Sequence, residues 1–132
     1  IKNSKIRENL FKKFLKNGFK FPAVISPLSY VSKHASIGDG TIVMHGAIIN
    51  AGAKVGKNCI INSKSLIEHD AIIGNHCHLS TRSTINGGVI IQDNSFIGSS
   101  SVIKQNIKIG KNSFVNANLF VKKNLKNNSK IL

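Results

Sequence analysis

The pattern that most restricts this chain is a period of six. From Ile25 an aliphatic residue recurs at every sixth position, through Val31, Ile37, Val43 and Ile49, without a slip as far as Val121. Two positions before it there is usually a small residue, as at Ala35, Thr41, Ala47, Ala53, Cys59, Ser65, Ala71, Cys77 and Ser83. Side chains alternate between the two faces of a strand, so residues two apart share a face. The aliphatic and the small residue therefore point inward, and the residue between them points out. Six residues hold one short strand and one turn. Gly38, Gly56, Gly74, Gly98 and Gly110 directly follow their aliphatic residues, where the chain is expected to bend. So short and regular a repeat predicts a solenoid, the hexapeptide form of a parallel β-helix. Cys59 and Cys77 fall in inward small slots and form no Cys-x-x-Cys pair, so core packing is expected of them.

Before the repeat, residues 4–17 predict a short helix. Ile6, Leu10, Phe11, Phe14 and Leu15 recur at helical spacing among lysines and Arg7. Ser4 is placed to cap its start and Gly18 to follow its end. The helix is expected to pack on its own domain. Phe21-Pro22 then sets an extended chain. A chain of 132 residues suits one domain. No apolar run approaches the roughly 20 residues of a membrane span. Ile1-Lys2-Asn3-Ser4 leads into a lysine-rich segment, not an apolar signal core, and the expected setting is cytoplasmic. Lys and Arg total 19 against 5 acids. These cations are spread along the chain without a nucleic-acid motif, so a solvated surface is expected, with part of the charge free to meet phosphates.

One stretch exceeds the needs of the repeat. Ile60-Ile61-Asn62-Ser63-Lys64-Ser65-Leu66-Ile67-Glu68-His69-Asp70-Ala71-Ile72-Ile73-Gly74, continuing through His78, resembles the bacterial sugar acetyltransferases of the sialic acid O-acetyltransferase (NeuD) type. That group includes PglD-like N-acetyltransferases acting on UDP-linked 4-amino sugars. The resemblance runs from about Phe21 to Leu125. It implies an all-β fold: a left-handed parallel β-helix of about 5–6 triangular coils, three hexads each, preceded by a short N-terminal α-helix. It also implies three regions. Residues 1–22 are the helix and lead-in strand, the remnant of a nucleotide-sugar-binding domain. Residues 23–126 are the acyltransferase coil, and 127–132 a tail.

With three hexads per coil, residues 18 apart stack. The outward residues then form three columns. One has Ile42, Ile60, His78, Phe96 and Phe114; the next has Ile48, Leu66, Thr84, Val102 and Phe120; the third has Lys54, Ile72, Ile90, Lys108 and Lys126. Two apolar columns along one solenoid call for partners, and a closed ring, a homotrimer in this family, satisfies both.

The resemblance assigns His69 as general base, Asp70 as the acid that orients its ring, and Asn62 as a residue near the substrate. Imidazole suits proton removal from an attacking amine or hydroxyl near neutral pH. The positions matching His78, Gly87, Ser99, Gln105 and Ala117 line the acetyl-CoA groove in the family. His69, Gly87 and Gln105 stack on one corner, Ser99 and Ala117 on another, so two subunits are expected to share each site. Lys122 and Lys123 are placed to meet the CoA phosphates. Asn116-Ala117-Asn118 stands where the family has Gly-Ala-Gly, and its closing glycine–x–proline–alanine–lysine motif is absent. The expected activity is acetyl-CoA-dependent acetylation of a sugar amine or hydroxyl in bacterial surface glycan biosynthesis. The acceptor is a sialic-type or nucleotide-linked sugar, with no metal and no nucleic acid involved. The alternatives are a non-catalytic trimeric scaffold, and a zinc enzyme of the hexapeptide carbonic-anhydrase type using His69, His76 and His78.

Overall fold

The computed structural model describes residues 3–132. Helix α1 (Ser4–Lys16) precedes eighteen strands of two residues each, from Val24–Ile25 to Lys130–Ile131. Strands three apart pair, except at the last strand, giving three parallel sheets of seven, six and five strands. Partners lie 18 residues apart: His78 sits between Ile60 and Phe96, and Thr84 between Leu66 and Val102. The molecule is the expected three-sided, left-handed β-helix with one helix before it. In chain order, the seven-stranded sheet is the first side, the six-stranded the second and the five-stranded the third.

The six-residue period becomes the core directly. Every aliphatic residue of the series from Val43 to Val121 is buried. Each such side chain stabilises the coil by about 1.5–3 kcal/mol when fully withdrawn from water. The small residues fill the space between, and most of their hydroxyls are satisfied by the backbone, Ser83 Oγ being buried without a hydrogen-bond partner among the described residues. Thr41 Oγ1 donates to the Gly56 carbonyl at 2.7 Å and Ser101 Oγ to the Asn116 carbonyl at 2.7 Å. Cys59 and Cys77 are free and buried, as expected. Hydrogen bonding to Cys59 and burial push the Cys77 thiol well up, which keeps it protonated and inert.

The turns depart from expectation. From Ile37 to Val115 the bend is made three residues after the aliphatic residue, where for example Asn58, Asp70, Asn94, Asn106 and Asn112 have positive φ. The glycines directly after the aliphatic residues serve close approach instead. A Cβ on Gly38 would lie 2.6 Å from the Gly56 carbonyl carbon, and one on Gly56 would lie 2.7 Å from that of Gly74.

The C-terminus also departs. Ile109 bridges to Leu125, and Phe114–Val115 pairs with Lys130–Ile131, each offset 16 residues instead of 18. The last coil is two residues short. Residues 127–132 are therefore not a tail, the coil does not end at 126, and Lys126 does not continue the third column. The physical reason is that Leu125 and Ile131 take inward positions once the strict spacing stops at Val121. Amide side chains help close the shortened turn, since Lys108 N–H donates to Asn124 Oδ1 and Lys111 N–H to Asn127 Oδ1, each at 2.8 Å.

Helix α1 is capped by Asn3, not Ser4, with Asn3 Oδ1 accepting from Lys5 N–H at 3.0 Å. It lies along the corner between the third and first sides. Phe11 is its one buried residue, packed over Gly40 with its ring 5.2 Å from Phe21 and 6.0 Å from His76. Arg7 donates to the carbonyls of Asn58 and His76. Ile6, Leu10, Phe14 and Leu15 stay exposed, so the helix uses one line of contact and not its whole apolar stripe.

Candidate active site

The corner between the second and third sides carries the His69–Asp70 pair. The strand Leu66–Ile67 ends there and Ile72–Ile73 begins, so buried Ile67, Ala71 and Ile73 fix the backbone on both sides of it. Asp70 N–H donates to the Ala51 carbonyl one coil before, and Gly88 N–H donates to the His69 carbonyl, both at 3.1 Å. Adjacent side chains on an extended chain would diverge. Asp70 has φ +59, and this left-handed turn brings its carboxylate back beside the ring. His69 Nδ1 lies 2.9 Å from Asp70 Oδ2. A carboxylate only accepts, so Nδ1 carries the proton and Nε2 is left as the free basic nitrogen. Both side chains are open to solvent, at 68% and 73% exposure.

Gly87 stacks over His69. A Cβ there would meet His69 Nε2 at 2.6 Å, so the missing side chain keeps space beside the basic nitrogen. Gln105 occupies the next position on this corner and is exposed. Under the pair, a Cβ on Gly52 would collide with Asp70 Oδ1. The sequence reading missed Gly52, and also Asn50, whose Nδ2 donates to Glu68 Oε2 at 2.9 Å. Both stand 18 residues before the motif, the signal that would have found them.

The remaining expected residues lie elsewhere. Asn62, Ser99 and Ala117 are on the corner between the first and second sides. There Asn62 Oδ1 accepts from Ser63 N–H at 2.8 Å, and Ser99 Oγ lies 2.9 Å from Ser80 Oγ. His78 is buried on the first side, its ring edge-on to Phe96 at 5.1 Å. The whole second side separates these residues from His69. One chain thus groups His69, Asp70, Gly87 and Gln105, and separately Asn62, His78, Ser99 and Ala117. Lys122 and Lys123 are exposed beside the last coil, and Lys122 Nζ lies 5.3 Å from the Phe120 ring centroid.

The three histidines of the zinc alternative do not converge. His69 is on one corner, His78 on a side, and His76 on the corner under α1. His76 Nδ1 lies 2.8 Å from Asn58 Nδ2, and its Nε2 lies 3.8 Å from Glu8 Oε1. Burial pushes its pKa down, and the Glu8 carboxylate partly opposes this. The Lys12 ammonium, hydrogen-bonded to Glu8, holds that carboxyl below its usual range. His76 thus serves helix docking.

Two family models match the coil. The bacterial transferase hexapeptide model matches residues 34–69 and 52–87, and the hexapeptide repeat of succinyl-transferase matches 88–123. The chain belongs to the hexapeptide-repeat family. No curated protein sequence matches it. Solved structures do match it. PerB from Caulobacter crescentus, in complex with CoA and GDP-perosamine, is 31% identical with a TM-score of 0.93, over 96% of this chain and 61% of that one. The acetyltransferase domain of PglB from Neisseria gonorrhoeae, in complex with acetyl coenzyme A, is 26% identical with a TM-score of 0.95, over 98% and 63%. WeeI from Acinetobacter baumannii is 29% identical with a TM-score of 0.94, over 98% and 64%. The hexapeptide chain therefore spans somewhat less than two thirds of the proteins it resembles. Among its described residues, no helix is long and apolar enough to cross a membrane.

Proposed function

We propose that this chain is the acyl-transfer coil of an acetyl-CoA-dependent sugar acetyltransferase of surface glycan biosynthesis. The observation that carries the reading is the His69–Asp70 contact at 2.9 Å, with Nε2 facing the space left by Gly87. His69 Nε2 removes a proton from the acceptor amine or hydroxyl as that group attacks the thioester carbonyl. The new bond joins acceptor and acetyl carbon, the carbon–sulfur bond breaks, and the proton passes on to the departing thiolate. Asp70 holds the ring in the tautomer this requires and stabilises the imidazolium that forms. Similarity to proteins solved with CoA and GDP-perosamine favours a nucleotide-linked amino sugar as acceptor.

The site is shared. His69, Gly87 and Gln105 of one subunit face Asn62, His78, Ser99 and Ala117 of the next, in a homotrimer built on the apolar first and second sides. This is supported by the separation of the two groups within one chain, and by Ile42 and Ile48 being about 40% exposed on those sides. Lys122 and Lys123 are assigned to the CoA phosphates. Two buried free cysteines and a CoA thioester substrate suit the cytoplasm.

A thiol-release assay with acetyl-CoA and a panel of nucleotide-linked amino sugars tests the proposal. The wild type is expected to turn over at least one acceptor, and His69→Ala at least about a hundredfold more slowly. Equal turnover by the two proteins would overturn it.

A further inference from the structure

The corner between the first and second sides carries an oddity that the acetyl-transfer reading leaves unused. From Gly40 to Asn118 every corner has a residue of positive φ at its sixth-position repeat, and almost all are Gly, Asn, Asp, Ser or His. The exceptions are Lys64 (φ 57) and Arg82 (φ 59). Long side chains are poorly suited to left-handed backbone, and such residues cluster where function over-determines them.

The two cations are stacked. Lys64 N–H donates to the His45 carbonyl and Arg82 N–H to the Ser63 carbonyl, so they occupy one column one coil step apart, about 4.8 Å. Like charges at that spacing repel. The chain has 5 acids, and none is on this corner. Glu8 is on α1, Asp39 and Asp93 are on the corner under α1, and Glu68 and Asp70 are on the His69 corner. Both cations are exposed, and neither side chain has an ion pair or hydrogen bond among the described residues. The same corner carries polar side chains, since His45 Nε2 lies 3.3 Å from Ser63 Oγ and Ser80 Oγ lies 2.9 Å from Ser99 Oγ.

We propose that Lys64 and Arg82 form an anion subsite for a diphosphate. Two adjoining cations with nearby hydroxyls match two adjoining phosphoryl groups. The Arg82 guanidinium takes two oxygens as a fork, and the Lys64 ammonium acts as a point charge. Both substrates of the proposed reaction carry a diphosphate, the nucleotide-linked sugar and CoA. The subsite rests on that reading for its physiological ligand, but not for its affinity. Lys64 lies in the same coil as the motif that carries His69, which favours the acceptor.

The experiment is equilibrium binding by calorimetry, without turnover, of a nucleoside diphosphate and, separately, of CoA. It compares wild type, Lys64→Asn/Arg82→Asn, and Lys57→Gln/Lys111→Gln, which removes the same charge from the corner under α1. Asparagine favours the left-handed turn, so the first variant is expected to melt no lower than wild type. Its nucleoside diphosphate affinity is expected to fall at least about tenfold, the size of one lost charge-assisted contact, while the control is unchanged. A fall confined to CoA also supports the subsite and assigns it to the cofactor diphosphate. Equal affinities in all three proteins, or no binding of either ligand by wild type, would overturn it. Because no acetyl transfer is measured, failure of the subsite and failure of the acetyltransferase reading are separable.

Discussion

His69 illustrates what a residue needs from its neighbours here. Its Nδ1 is held by Asp70, its carbonyl by Gly88, and its Nε2 is left uncovered by Gly87. Both members of the pair are exposed, so replacing them removes chemistry without emptying the core. His69→Ala is expected to lower kcat by about 10²–10⁴-fold with an unchanged melting temperature, measured by thiol release and circular dichroism. Asp70→Asn keeps a residue suited to the left-handed turn but loses the charge that holds Nδ1–H. Its fold is expected to persist while kcat drops well below wild type. Gly87→Ala is sharper, because Gly87 is not among the glycines of positive φ and the backbone tolerates alanine. Its Cβ would stand at 2.6 Å from Nε2, so activity is expected to collapse in a stably folded protein. Retained turnover in Gly87→Ala would show that the space beside Nε2 is not used.

At the level of elements, the motif was legible because a strict six-residue period locates each corner from sequence alone. The contact inside the pair was not, since it depends on the sign of φ at Asp70. Gly52 and Asn50 stand within reach of the 18-residue count, but their contacts with Asp70 and Glu68 depend on how side chains of neighbouring coils are placed. Helix α1 shows where periodicity misleads. Its apolar stripe predicts a packed face, yet on the coil Phe11, Arg7 and Glu8 make the contacts, while Phe14 meets the rings of Phe19 and Phe21 that follow the helix. That docking is expected to be acid-sensitive. Burial lowers the His76 pKa, helped by Arg7 and Lys12 and opposed by Glu8 and Asp93. A base with a lowered folded pKa stabilises docking fully above its ordinary value of about 6.5. The contribution is lost as pH falls from there through the folded value, because the released state binds the proton more tightly. Hydrogen exchange of α1 amides between pH 7.5 and about 5 is expected to show loss of protection on acidification, with a smaller change in His76→Gln. A flat profile in wild type would remove His76 as the cause.

Across the whole molecule, the coil is quasi-one-dimensional, each turn resting on its neighbours. Two of its sides carry outward apolar residues, and the candidate site residues divide between the His69 corner and, across the second side, the next corner with His78 on the first side. A charge on the second side, as in Ile48→Glu, is exposed in one chain and is expected to leave the coil folded. It should also give a monomer by light scattering and abolish acetyl transfer. A fully active monomer would show that one chain completes the site.

The sequence by itself determined the solenoid, the inward and outward sets, the two buried cysteines and the position of the His69 corner. All of these follow from a period that fixes which side chains share a face. The tertiary structure decided what depends on backbone angles and on neighbours one coil away. It showed the left-handed turn that closes His69 on Asp70, and the glycines placed for close approach rather than bending. It showed the stacked cations Lys64 and Arg82, and His76 committed to α1. It also decided the last coil, where two missing residues return Lys130–Ile131 to the first side. A spacing rule describes a chain only while the spacing holds, and after Val121 the pairing of strands, not the count of residues, sets the register.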